Sequence, residues 1–344
     1  SSDLIFLDEL LCYYLLYAYD LVLFSDSEAG LQTQVNLLKM YCQKWHFIVS
    51  LPKTRIMVFN KRNCTPCIYF NNHKLETVSQ FKYLGVIFDS SKKHVLQSTP
   101  TYLSEQAKRA IFSSLKMYYG SLGKPTPSSM FKLFDVQILP ILEYGCEVWT
   151  TTRPYDVIES VQLSFLKRML GVRKQTPTLG VHMDTGRFPL HIRQQVRLIK
   201  YWLYILTLPS EHVLKSSYNM LREMYHAGQT NWCSTVVKIL SDAELTSSWQ
   251  AQSVEDEYMF LRQVKEKLYG MYIKNYETQL LTLDDNKKLR VYKDFKKEFS
   301  LESYLLNLPS VTYIQCIARL RLSSHNLKIE LGRHTKPKLA LTDR

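Results

Sequence analysis

Leu15-Leu16-Tyr17-Ala18-Tyr19-Asp20-Leu21-Val22-Leu23-Phe24 is the stretch on which the reading of this chain turns. Two apolar runs flank a short polar break, the pattern of a tight hairpin with arms at Tyr13–Ala18 and Leu21–Phe24. One carboxylate, Asp20, sits at its tip. A pair of acids in such a place can hold catalytic metal ions. Here Tyr19 takes the position of the first acid, and a neutral phenol, with an ordinary pKa of about 10, is a poor magnesium ligand.

Working outward, Ser25-Asp26-Ser27-Glu28 has the spacing of a capping box led by Ser25. It predicts a helix whose Leu31, Val35, Leu38, Cys42 and Trp45 form one stripe against a sheet. Phe47–Leu51 and Arg55–Phe59 read as strands around Pro52-Lys53-Thr54, and Cys67–Phe70 and Leu75–Val78 flank the turn signal Asn71-Asn72. Phe81–Phe88 reads as a strand pair or bent strand with Gly85 at the bend. From Thr99 the pattern is helical. Thr99-Pro100 and Thr126-Pro127 each place a cap before a first-turn proline, and Pro140 ends or kinks the second of these helices. Tyr155–Leu170 stops at Gly171, Pro189 opens a helix reaching about Leu208, and further helices are predicted over Tyr258–Leu281 and Asn286–Phe299.

The chain has 344 residues, room for two or three domains. Its 44 Lys and Arg against 31 Asp and Glu give a net charge of +13, which points to a polyanionic partner, nucleic acid or an anionic membrane surface. The most apolar stretch, Leu4–Phe24, is interrupted by Asp8, Glu9 and Asp20, which argues against a membrane span. No secretory signal is visible. Seven scattered cysteines suit reduced thiols in an intracellular protein, nuclear or cytoplasmic, better than a disulfide framework. The first residue is Ser1 rather than Met, so the chain is expected to be part of something longer.

The charge is clustered. Lys167, Arg168, Arg173, Lys174, Arg187, Arg193, Arg197 and Lys200 face only Asp184 within their segment, for +7, and residues 319–344 add +5. Arg193, Arg197 and Lys200 fall on one helix face, with Val196, Ile199, Leu203 and Leu206 on the opposite, buried side. Tyr201 and Tyr204 flank the row and could stack on bases or sugars. This clustering predicts contact with phosphates of RNA or DNA, salt-sensitive rather than sequence-specific. The alternative is a solvated face on a packed helix.

Taken in order, several strings resemble the reverse transcriptase of a non-LTR (LINE-type) retrotransposon. The Leu15–Ser25 stretch is similar to that family's Tyr-Ala-Asp-Asp active-site hairpin. The Leu31–Trp45 helix and Leu51-Pro52-Lys53-Thr54-Arg55-Ile56-Met57-Val58-Phe59 resemble the next palm elements, with the Lys-Thr pair intact. Phe81-Lys82-Tyr83-Leu84-Gly85-Val86 resembles the segment that supports the primer strand. Ile138-Leu139-Pro140-Ile141-Leu142-Glu143-Tyr144-Gly145-Cys146-Glu147-Val148-Trp149, Gly186-Arg187-Phe188-Pro189-Leu190 and Lys200-Tyr201-Trp202-Leu203 resemble the thumb and the helical region beyond it.

The resemblance implies an α+β chain: a partial polymerase palm with strands packed on one helix over 1–93, thumb-like helices over 94–152, and a basic helical C-terminal region over 153–344. It implies RNA-directed DNA polymerisation with Mg2+ held by Asp20, the match to the second acid, and Lys53 as proton donor to the leaving pyrophosphate. Because Tyr19 replaces the first acid, and because the family's other acid belongs to a strand ahead of Ser1, the expected product is a degenerate, inactive enzyme. Lys53 is otherwise an ordinary solvated turn residue. Cys64-Thr65-Pro66-Cys67, with His73 near, has knuckle spacing but no second pair. The family's zinc knuckle usually follows a segment like Arg333-His334-Thr335-Lys336-Pro337, and no Cys follows Cys316, so no zinc is expected. The rival reading is a non-catalytic helical protein-interaction module with no nucleic-acid role.

Overall fold

In the computed structural model the quoted stretch forms a hairpin, with register Tyr14↔Leu23, Leu15↔Val22, Leu16↔Leu21 and Tyr17↔Asp20. Residues 5–7, 10–12, 14–59, 66–121, 123–151, 153, 155–282, 288–289 and 291–331 are described. Their ten short strands are β1 (Ile5–Leu7), β2 (Leu10–Cys12), β3 (Tyr14–Tyr17), β4 (Asp20–Leu23), β5 (Arg55–Ile56), β6 (Tyr69–Phe70), β7 (His73–Lys74), β8 (Glu76–Thr77), β9 (Gln80–Tyr83) and β10 (Val86–Asp89). Helices dominate the rest: α1 (Glu28–Trp45), α2 (Thr99–Ser121), α3 (Pro127–Leu133), α4 (Leu139–Leu142), α5 (Cys146–Trp149), α6 (Asp156–Leu170), α7 (Thr178–Thr185) and α8 (Leu190–Thr207). They continue as α9 (Val213–His226), α10 (Trp232–Asp242), α11 (Thr246–Ala251), α12 (Glu257–Leu281), α13 (Tyr292–Phe295), α14 (Tyr304–Asn307), α15 (Val311–Arg321) and α16 (Lys328–Leu331). The class is mixed α and β, compatible with the expected α+β. No helix among the described residues is long and apolar enough to cross a membrane.

The chain divides into two units. Unit 1 holds Ser1–Thr99, Lys200–Lys238 and Ala251–Ser253; unit 2 holds Pro100–Ile199, Ile239–Gln250 and Val254–Arg344. Most of the expected 94–152 and 153–344 segments therefore fall together in unit 2.

In unit 1, Val35 of α1 packs with Ile56, Ile68, Phe70 and Leu75, and Leu23, Leu31 and Leu38 close the edge of this core. The α1 stripe departs from expectation at Trp45, which is 56% exposed in the last turn beside Tyr41 and Lys44. The cap departs too. Ser27, not Ser25, accepts the Gly30 amide at 3.0 Å, and Glu28 accepts the Cys67 amide at 2.8 Å, holding the segment before β6 to α1 instead of closing a capping box. Phe47–Leu51 is not a strand; its backbone turns, with Lys53 and Thr54 amides both bonding the Ser50 carbonyl. β5 pairs in parallel with β8, a non-local contact that the local pattern did not carry. Leu84 and Gly85, both at positive φ, make the turn between β9 and β10. Asp89 at the end of β10 is wholly buried. Burial works to raise its pKa, but hydrogen bonds from Ser91, Ser98 and Gln80 outweigh this and hold it down at about 2.

The unit 2 helices are cut where the sequence marks them. Thr126 caps α3 ahead of Pro127, and α6 ends at Gly171 in the left-handed region. Pro140 has no amide to return to the preceding turn, and the chain widens into a π-turn at Phe134–Ile138 before α4. Of the expected Asn286–Phe299 helix only α13 is present, and residues 283–287 and 290 lie outside the described residues. The core is built from Phe134, Ile138, Leu142, Ile158, Phe165 and Leu170, all nearly inaccessible.

Candidate nucleic-acid interface and polymerase-like hairpin

The β3–β4 turn is closed by two residues. Ala18 adopts φ +53, a conformation that costs a residue with a Cβ about 1–2 kcal/mol, and Tyr19 is 97% exposed. Asp20, also exposed, pairs across the turn with Tyr17. Burial first, and the Asp20 charge second, push the phenol of Tyr83, on β9, up. Lys53 is exposed in the turn before β5. A magnesium clamp needs several hard oxygen donors. The tip offers one carboxylate and a neutral phenol, and no group of three His, Cys, Asp or Glu side chains among the described residues is placed to hold a metal. The donor set does not fit the ion that the resemblance implies. Of the cysteine pair, Cys67 is free and Cys64 lies outside the described residues.

The eight basic residues of the first cluster do not form one open surface. Arg187 makes a two-pronged ion pair with Asp135, on the π-turn, at 2.5 and 2.8 Å, and its guanidinium lies 4.6 Å from the Phe131 ring centroid. Arg193 Nε donates to Glu143 Oε1 at 2.8 Å. Arg197 donates to Glu143 Oε2 at 3.3 Å and to Glu147 Oε1 at 2.8 and 3.0 Å. The Glu143 side chain is only 3% exposed, and Arg193 and Arg197 are its ion-pair partners among the described residues. Lys167 Nζ donates to the Lys174 carbonyl at 2.8 Å; burial, with the Lys288 charge, lowers its pKa. Arg173 bonds Asn326. Arg168, Lys174 and Lys200 are exposed, and no ion pair holds them among the described residues.

The buried side of α8 is also broader than expected. Ile199 and Leu203 are buried, Val196 and Leu206 only partly, while Leu198, Trp202 and Ile205 add a second covered face. Tyr201 and Tyr204 stack on each other at 6.3 Å, and Tyr201 also meets Trp232 edge-on.

Two strings that carry the resemblance have architectural duties here. Glu143 and Glu147 hold the α8 arginines, Gly145 sits at φ +59, and buried Trp149 donates to the Tyr144 carbonyl at 2.9 Å. In Gly186-Arg187-Phe188, a Cβ on Gly186 would lie 2.6 Å from the Leu301 amide nitrogen. Phe188 packs at 4.2 Å on Tyr269 and at 4.4 Å on Phe299.

Sequence reasoning missed Asp184 as more than a charge offset. It is fully buried and gathers Tyr292, Tyr304 and Arg321 around its carboxylate. A lone acid in a basic stretch was the available signal. No protein-family model matches this chain, and no curated protein matches it.

Proposed function

We propose that the chain is a degenerate, non-polymerising segment of a non-LTR retrotransposon reverse transcriptase that binds RNA or DNA through its phosphates. The observation that carries this reading is the succession of elements: a hairpin at Tyr14–Leu23, helix α1, strand β5 after Lys53-Thr54, a second hairpin at Gln80–Asp89, then the long helix α2. This order along the chain supports the reading. The lone Asp20 beside Tyr19 supports loss of the metal chemistry. Magnesium-dependent primer extension by the unmodified chain is expected to be absent, and extension above a no-protein control overturns the reading.

A specific observation favours a second reading. Arg187, Arg193 and Arg197, three of the eight cations expected to meet phosphates, are held by Asp135, Glu143 and Glu147. On that reading the helices form an interaction module and the remaining charge is solvated. If neither an RNA nor a DNA duplex is retained at low salt, the second reading stands and the first fails.

A further inference from the structure

We propose that the cleft between the end of α6 and the loop after α15 seats a phosphate group of a single-stranded polynucleotide. This rests on the nucleic-acid reading above and gives it a location. The basic segment 167–200 and the described beginning of the second one, 319–331, are far apart in sequence, and here they meet. The Arg173 amide donates to Ser324 Oγ at 2.8 Å, Arg173 Nη2 donates to Asn326 Oδ1, and Arg319 Nε donates to the Gly171 carbonyl at 2.7 Å. The cleft between them has a volume of about 520 Å3, within the range that holds a nucleotide-sized ligand. Arg173, Arg319, Ser324, His325 and Asn326 give it a polar lining, Leu320 and Leu327 an apolar one, and no carboxylate lines it among the described residues.

Two helices end at this cleft, and bare C-terminal carbonyls would repel an anion. They are not bare. The Lys167 and Arg168 carbonyls accept the amides of Val172 and Gly171, that of Gly171 accepts Arg319, and that of Met169 accepts Gln315. Across the cleft, the Ala318 and Arg319 carbonyls accept the amides of Leu322 and Ser324. What faces a ligand is therefore donor-rich. A guanidinium has five N–H donors, and each of these arginines spends few of them inside the chain. His325 Nδ1 accepts the Leu327 amide at 3.2 Å, which puts the neutral ring's proton on Nε2 as a further donor.

Charge-assisted, multi-donor recognition of this kind suits phosphate. A polymer suits it better than a free ion, because Lys174 and Arg168 are exposed on the same loop and helix end and can meet neighbouring phosphates. Leu320 and Leu327, 54% and 56% exposed, offer an apolar surface to a sugar or base. The cleft is too small for a duplex. Asn326, the side chain best able to read a base edge, is engaged by Arg173, so little sequence preference is expected.

The test is arginine footprinting on the full, unmodified chain with phenylglyoxal at low salt, read by peptide mass spectrometry. The probes are a short single-stranded RNA and inorganic phosphate. RNA is expected to protect Arg173 and Arg319 while leaving Arg262, an exposed arginine paired with Glu266, as reactive as before. The Arg319→Gln variant is expected to weaken RNA binding about tenfold, as loss of one charge-assisted phosphate contact does. RNA bound with both arginines unprotected overturns the cleft and leaves the nucleic-acid reading standing. No RNA binding at low salt overturns both. Protection by inorganic phosphate but not by RNA overturns the polynucleotide and makes this a free-phosphate site. Because Arg319 also caps α6, the footprint on the unmodified chain decides the matter if the variant does not fold.

Discussion

The Asp184 carboxylate has no exposed surface and accepts Tyr292 Oη at 2.6 Å, Tyr304 Oη at 2.9 Å and Arg321 Nη2 at 3.0 Å. Arg321 is ion-paired in turn to Glu302, and its guanidinium lies 4.7 Å from the Phe295 ring centroid. Burial first, and the Asp184 charge second, push both phenols far above their ordinary pKa, so they stay protonated donors across the working pH range. The backbone follows the side chains: the Glu302 amide donates to the Asp184 carbonyl, and Gly186 leaves room for the passing Leu301. One residue at the end of α7 thus fixes the segment carrying α13 and α14 as well as α15. Asp184→Ala leaves Arg321 with Glu302 alone, and the buried Tyr292 and part-buried Tyr304 hydroxyls without their acceptor, and is expected to cost about 3–5 kcal/mol. Tyr292→Phe removes one donor from a charged acceptor and is expected to cost about 1.5–3 kcal/mol. Urea unfolding followed by circular dichroism measures both, and an Asp184→Ala loss below that of Tyr292→Phe would sink this account.

At the scale of elements, the joint between α4 and α5 is tied to α8 by Glu143 and Glu147 through Arg193 and Arg197. Removing Glu143 leaves two guanidinium groups without their buried partner, but they are about half exposed and can rehydrate. Glu143→Ala is therefore expected to lose about 1–3 kcal/mol, less than a fully buried pair, with Glu147→Ala milder because Arg197 keeps Glu143. Equal losses in the two variants, measured by urea midpoint, would show that Glu143 is not the hub. The same pairs show what a sequence can and cannot disclose. The end of α6 at Gly171, the Thr126 cap and the bend at Gly85 are legible because a few adjacent residues decide them. The α1 cap was misplaced because Ser25 and Ser27 offer the same hydroxyl, and the choice lies with Glu28, drawn to the Cys67 amide. The arginine row was visible as a row. Whether it met water, phosphate or carboxylate depended on acids 50 residues away in sequence. The meeting of Arg173 with Ser324, 151 residues apart, left no local trace at all.

For the whole molecule, those pairings change what a net charge of +13 can do. A cation already balanced by a buried carboxylate releases fewer counterions when a phosphate approaches, so formal charge overstates the number of effective contacts. If all eight cations of the first cluster met phosphates, the logarithm of duplex affinity would fall against the logarithm of salt with a slope of about −7, from about −0.9 per contact. Arg187, Arg193 and Arg197 are spent on Asp135, Glu143 and Glu147, and Lys167 on a backbone carbonyl. Arg168, Lys174 and Lys200 remain, because the cleft that holds Arg173 and Arg319 is too small for a duplex. A slope of about −3 is therefore expected for an RNA or DNA duplex. It is measured by fluorescence anisotropy over a salt series, with Lys174→Gln lowering its magnitude by about 1 and Arg193→Gln leaving it unchanged. A slope near −7, or an Arg193→Gln effect as large as that of Lys174→Gln, would mean that the α8 arginines leave their carboxylates to meet nucleic acid. The ion pairs would then be a resting arrangement that a polyanion displaces, and the binding face would be the row on α8 after all.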